Sequence, residues 1–122
     1  MTTKNVRPKF LNLFRIHLPI TGVVSFAHRV TGALLVVCLP FVVFLFSRSL
    51  QSEQGFLYVS DLLQLWWIRL LGILVVWSLA YHLLSGIRFL LLDLDIGMSL
   101  SSARASAWLV GGLAILVLLL II

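Results

Sequence analysis

The chain has 122 residues, 61% of them hydrophobic and 11% charged, with nine Lys and Arg against four Asp and Glu and a mean hydropathy of +1.15. A soluble domain carries roughly 25% charged and 45–50% apolar residues, so this composition cannot clothe a globule of this size in a polar surface, and lipid must be the solvent for most of the chain. Three spans of about 20 residues would use about half the length and leave connectors too short for a separate soluble domain, so a single all-α membrane bundle is expected over residues 1–122. The excess of five positive charges does not indicate nucleic acid, because Lys4, Arg7, Lys9 and Arg15 precede a long apolar stretch, an arrangement suited to an anionic leaflet. Cys38, the one cysteine, lies among Leu and Val and reads as a small apolar filler, with no intrachain disulfide. The first apolar run exceeds the core of a cleaved signal and no small-x-small site follows it.

In chain order, residues 1–20 read as an N-terminal cytoplasmic or interfacial segment, with Leu11 to Leu18 amphipathic and His17 an interfacial residue within it. Val30 to Phe46 carries no charge and extends back to near Thr21 if His28 and Arg29 face protein or snorkel, giving transmembrane helix I at about 21–46. Residues 47–64 are the only stretch that reads as an aqueous loop, with room for a short surface helix. Leu70 to Ile87 is again free of formal charge, and Trp66 and Trp67 stand where an interfacial aromatic belt would be, giving helix II at about 65–92. Asp93, Asp95 and Gly97 break the pattern, a connector runs over 93–104 with Ser99 to Ser102 as capping residues, and helix III occupies about 105–122. Eighteen residues span about 27 Å, slightly less than the hydrocarbon core.

The N-terminal segment and the second connector with its flanks carry six basic residues (Lys4, Arg7, Lys9, Arg15, Arg88, Arg104), whereas the first connector and its flank carry Arg48 and Arg69. The N-terminus is therefore expected to face the cytoplasm, with Arg88 a positive-inside anchor. The start of helix I and the end of helix II then share a leaflet.

Polar groups inside a span are expensive and need a partner or a cavity. Ser25, His28, Arg29 and Gly32 fall at i, i+3, i+4 and i+7 of helix I, so one face carries a hydroxyl, an imidazole, a guanidinium and a gap, and is expected to point into protein. In helix II, His82 lies about 16 Å from Asp93 along the helix, deep in the cytoplasmic half, with Gly86 one turn later. An imidazole at that depth beside a glycine suits a porphyrin, which wants a neutral nitrogen ligand and room for a flat ring, and His28 and Arg29 are placed to meet its propionates. Plainer readings fit the same residues: His82 as a helix–helix hydrogen-bond partner, Arg29 as a snorkelling anchor, Ser25 bonded back to its own helix, and Tyr81 and the tryptophans as packing and belt residues. By depth, only His82 is far inside, so a haem held by two histidines of this chain is not expected, and a second axial ligand would come from another chain.

Two motifs, Arg7-Pro8 followed by Ser25-x-x-His28-Arg29-x-Thr31-Gly32, and His82-x-x-x-Gly86-Ile87-Arg88-Phe89 ending in Asp93, resemble those of the cytochrome b556 membrane anchors of succinate dehydrogenase in respiratory complex II. The resemblance covers the whole chain. It implies a bacterial inner-membrane subunit that pairs with a second small anchor subunit and holds a flavoprotein and an iron–sulfur protein on the cytoplasmic face, with no catalysis by the isolated chain. It further implies that His82 is an axial ligand of haem b, shared with the sister subunit and so a metal-binding residue for the haem iron. Ser25 and Arg29 would line the ubiquinone pocket, and His28 and Arg29 would lie near the haem propionates. Where many members have a second His after Gly-Ile-Arg, this chain has Phe89, which removes a rival ligand. A structural anchor with no electron-transfer role, an anchor of fumarate reductase and, more remotely, a pore or assembly protein are the alternatives.

Overall fold

A computed structural model describes residues 18–122, so the basic N-terminal residues Lys4, Arg7, Lys9 and Arg15, Pro8 and His17 lie outside the described residues. Four helices and no strand occur among the described residues: α1 (Ile20–Gln51), α2 (Glu53–Gln64), α3 (Trp66–Asp93) and α4 (Leu100–Ile121). The architecture is all-α, and α1, α3 and α4 are each long and apolar enough to cross a membrane, which makes this a multi-pass membrane protein. Burying every backbone polar group inside the segment itself is what a helix offers in hydrocarbon.

The polar stretch read as a loop over 47–64 is almost entirely helical. Helix α1 continues through Ser47 and Arg48 to Gln51, where Arg48 donates to the Gln51 side-chain oxygen at 3.1 Å and favours the negative end of the helix dipole. The chain then extends at Ser52 (φ −164°, ψ 164°), whose Oγ accepts from the Gly55 amide at 3.0 Å and starts α2. Gly55 is buried against the end of α1, and a Cβ there would collide with the Arg48 carbonyl oxygen, so only glycine permits so close a return. Val59 is the other buried residue of α2, which packs on both α1 and α3.

Helix α3 ends in a paired-carbonyl stop. Asp95 takes a left-handed conformation (φ 61°), its amide donates to Leu92 O at 3.0 Å and the Ile96 amide to Leu91 O at 2.9 Å. This is the Schellman arrangement, with Asp where glycine is commoner. Ser99 then caps α4, accepting from the Ser102 amide at 3.3 Å, so α4 begins at Leu100 instead of near Ala105. The additional turn brings α4 to 22 residues, about 33 Å, enough for the hydrocarbon core.

The buried core is small: Val24, Tyr81, Ala107, Val110 and Ala114, with Ile20, Ala27, Trp77, Leu84 and Phe89 packed around it. Small residues on α4 allow α3 and α4 to approach closely, and Trp77 crosses between them, donating Nε1–H to Ala114 O at 2.9 Å. Tyr81 reaches the other way, its hydroxyl 3.5 Å from Val24 O on α1. Packing thus centres on α3, whose faces meet α1 and α4.

Candidate functional site

The imidazoles of His28 on α1 and His82 on α3 stack face to face, with ring centroids 4.0 Å apart and planes 9° from parallel. His28 stands opposite Gly86 and His82 opposite Gly32, so along the antiparallel pair His28 is one turn nearer the start of α1, and the two side chains lean together to stack. The stacking depends on the register of two neighbouring helices, which intrahelical spacing does not reveal. It also gives a second ground for separating the pair from a shared haem. Two axial imidazoles approach an iron edge-on from opposite sides of a macrocycle, and rings stacked at 4.0 Å leave no gap for one.

His82 is held on three sides. Its Nδ1 lies 3.1 Å from the His28 carbonyl oxygen and 3.5 Å from Thr31 Oγ1. A carbonyl oxygen only accepts, so Nδ1 carries the proton and donates it, and the lone pair belongs to Nε2. No described residue hydrogen-bonds Nε2. An imidazole that donates one ring N–H to a backbone carbonyl and keeps the other nitrogen free is the usual form of a metal-ligating histidine. Thr31, buried on α1, returns its own hydroxyl proton to the α1 backbone, with Ala27 O at 2.9 Å and His28 O at 3.0 Å. The same hydrogen-bonding fits a helix–helix tie, but in that case Nε2 gains nothing from its freedom.

The space beside Gly86, expected from sequence to give room for a planar ligand, is occupied by the His28 ring, whose Nε2 is 3.5 Å from where a Cβ would stand. Phe89 meets the His28 ring edge-on at 5.2 Å, and the Arg88 guanidinium lies 5.3 Å from the centre of the Phe89 ring. A ladder of flat groups therefore runs from Arg88 through Phe89 and His28 to His82. Its outer member is not the membrane-surface anchor that the position of Arg88 suggests. Arg88 is 5% exposed, donating Nε–H to Ser106 Oγ and Nη2–H to Ala103 O, both at 3.0 Å, which ties α3 to α4.

The polar face of α1 divides. His28 and Gly32 turn to α3, Ser25 is half-buried, and Arg29 is exposed on the surface of this chain. Ser25 makes no hydrogen bond to a described residue, unlike Thr31, Ser49, Ser85 and Ser106, which bond back to their own helices. Its hydroxyl and the Arg29 guanidinium lie one helical turn apart at the same end of α1, neither bonded to a described residue. No group of three or more His, Cys, Asp or Glu suited to a metal ion occurs among the described residues.

Thr31, Phe89 and the buried role of Arg88 were not legible as site features. Thr31 carried a signal, a hydroxyl three residues after His28 inside a span; the other two depend on what the neighbouring helix presents.

A sequence-family profile described as the succinate dehydrogenase/fumarate reductase transmembrane subunit matches residues 3–121. The chain is 33% identical over 105 residues to the succinate dehydrogenase cytochrome b556 subunit of Coxiella burnetii, covering 85% of this chain and 84% of that one. It is 29% identical over 122 residues to the protein of the same description from Paracoccus denitrificans, covering 95% and 91%.

Proposed function

The chain belongs to the succinate dehydrogenase/fumarate reductase transmembrane subunit family, and from that membership we propose that it is the cytochrome b membrane anchor of a bacterial succinate dehydrogenase. It would pair with a second small anchor subunit in the inner membrane, N-terminus cytoplasmic, and hold the iron–sulfur and flavoprotein subunits on the cytoplasmic side. The observation that carries the site reading is the 3.1 Å contact of His82 Nδ1 with the His28 carbonyl, which leaves Nε2 as a neutral nitrogen donor. His82 is accordingly the proposed axial ligand of haem b, and because His28 is stacked against it, the second ligand comes from the sister subunit.

When bound, haem b supplies a one-electron redox centre beside the route to quinone. Succinate oxidation to fumarate releases two electrons and two protons, and ubiquinone takes up two of each to become ubiquinol. In this chain Ser25 donates its hydroxyl proton to a quinone carbonyl, and Arg29 donates guanidinium N–H groups and offsets the negative charge that develops as the quinone is reduced. Arg29 is the stronger contributor, because hydrogen bonds from charged groups are worth about 1.5–3 kcal/mol against roughly 0.5–1.5 for neutral ones. His28 and Arg29 would supply hydrogen-bond donors for the haem propionates. Exposure of Arg29 on the single chain fits a pocket completed by the iron–sulfur and sister subunits.

Membranes carrying the complex with His82→Ala are expected to lose or markedly alter the b-type optical band. An unchanged band would leave His82 as a helix tie and the chain as a structural anchor. Arg29→Ala is expected to lower succinate–quinone reductase activity about 10- to 100-fold, the equivalent of one charge-assisted hydrogen bond, while reduction of an artificial dye by the soluble subunits persists. Equal quinone reduction in both proteins would remove Arg29 from the pocket.

A further inference from the structure

Helices α1 and α3 each carry a His-x-x-x-Gly sequence, His28 to Gly32 and His82 to Gly86. The two sequences interlock. The His82 ring lies against Gly32, and the His28 ring reaches Gly86 with its Nε2. Pairing 28 with 86 and 32 with 82 is the register of antiparallel neighbours, so the two motifs form a reciprocal clasp in which each imidazole occupies the place that the other helix leaves empty. The two seats differ in tightness. A Cβ at Gly86 would stand 3.5 Å from His28 Nε2, an ordinary contact, whereas a Cβ at Gly32 would stand 2.9 Å from His82 Cε1 and 3.3 Å from Nδ1. One face of the His82 ring is covered by His28, with centroids 4.0 Å apart, so the ring has little room to turn.

We infer that Gly32 is a positioning residue for the proposed haem ligand: its missing side chain lets the His82 ring lie against α1 and bring Nδ1 to the His28 carbonyl, which fixes the direction and the electron density of Nε2. This rests on the reading of His82 as the axial ligand. Any Cβ at position 32 must turn the His82 ring or push α3 away from α1, and both displacements lengthen the Nδ1–H···O bond. Donation of that proton makes the imidazole a more electron-rich ligand, which favours ferric iron. A longer bond therefore raises the haem midpoint potential, and the turned ring changes the low-spin ferric signal, which depends on the orientation of the axial ligand planes. Bulk stability of the bundle sets neither quantity.

The test uses the whole complex purified with Gly32→Ala, with Gly111→Ala as a control for the higher helix propensity of alanine, since a Cβ at Gly111 meets nothing within 4 Å. Haem content, the ferric electron paramagnetic resonance spectrum and a redox titration of the haem are measured for both and for His82→Ala. Gly32→Ala is expected to displace the largest g-value and raise the midpoint potential, while Gly111→Ala keeps both at the parent values. If Gly32→Ala keeps both as well, while His82→Ala loses the haem signal, the inference is overturned and the ligand reading stands. Retention of an unaltered haem in His82→Ala overturns the ligand reading, and this inference with it. Should Gly32→Ala fail to assemble, Gly32→Ala combined with His28→Ala opens the covered face of the ring. It is expected to recover haem with a displaced signal; no recovery, or recovery with the parent signal, overturns the inference.

Discussion

Polar side chains within the spans are satisfied locally, and the manner of satisfaction separates structural residues from site residues. Thr31 and Ser85 return their protons to their own helices, Trp77 and Tyr81 reach backbone carbonyls of neighbouring helices, and no buried polar side-chain atom is left without a partner among the described residues. Arg88 is the extreme case, a buried guanidinium held by Ser106 Oγ and Ala103 O. Its planar fork meets two acceptors on different turns of α4 at once, which an ammonium on a flexible stem does not reproduce. Arg88→Ala is therefore expected to destabilise the solubilised complex by about 1–3 kcal/mol, from the lost charge-assisted bonds, with Arg88→Lys recovering only part of it. A thermal melt of the detergent-purified complex followed by haem absorbance measures both; equal melting of the Lys variant and the parent protein would reduce Arg88 to a point charge. Ser25 and Arg29 differ from this group in having no such internal partners among the described residues, which is the condition for binding something else.

At the scale of elements, caps and one glycine decide where helices begin. The apolar runs locate α1, α3 and α4, but hydropathy follows the membrane and not the backbone, and so it misplaces the ends. Helix α4 starts at Leu100 because Ser99 accepts from the Ser102 amide, and the residues between 47 and 64 are helical because Ser52 starts a second helix one residue after α1 stops. That turn depends on Gly55, which packs against the carbonyl at Arg48. Gly55→Ala is expected to cost about 1–3 kcal/mol, since the obstructing atom is backbone and cannot rotate away, even though alanine is the better helix former. Limited proteolysis between α1 and α3 reports the loss: faster cleavage there in the variant is expected, and parent-like resistance would show that α2 docks without the close contact.

For the whole molecule, the dominant fact is how little of it is covered. Of the 32 residues of α1 only Val24 and Thr31 are buried, and Val36, Phe41 and Phe46 are each more than 60% exposed. Lipid suits that surface, and so does a second anchor subunit. Three spans place the start of α1 and the end of α4 on opposite sides. With the N-terminus cytoplasmic, as the excess of basic residues at that end predicts, a C-terminal fusion to a reporter active only outside the cytoplasm is expected to be active. An active cytoplasmic reporter at that end would reverse the orientation and move the proposed quinone site to the wrong leaflet.

Sequence by itself determined the class of the protein, because 61% apolar residues with 11% charge leave no other solvent than lipid, and it singled out Ser25, His28, Arg29 and His82 because the membrane penalises each of them. It also carried the family resemblance, which rests on residue identities at fixed spacings. Spacing within a helix determines which residues share a face, and no more than that. Tertiary structure decided the stacking of His28 on His82, the burial of Arg88, the occupant of the gap at Gly86 and the tautomer of His82, since each depends on the register between two helices. That register is set by side chains fitting across a contact, a relation between segments far apart in sequence that neither segment's own pattern contains.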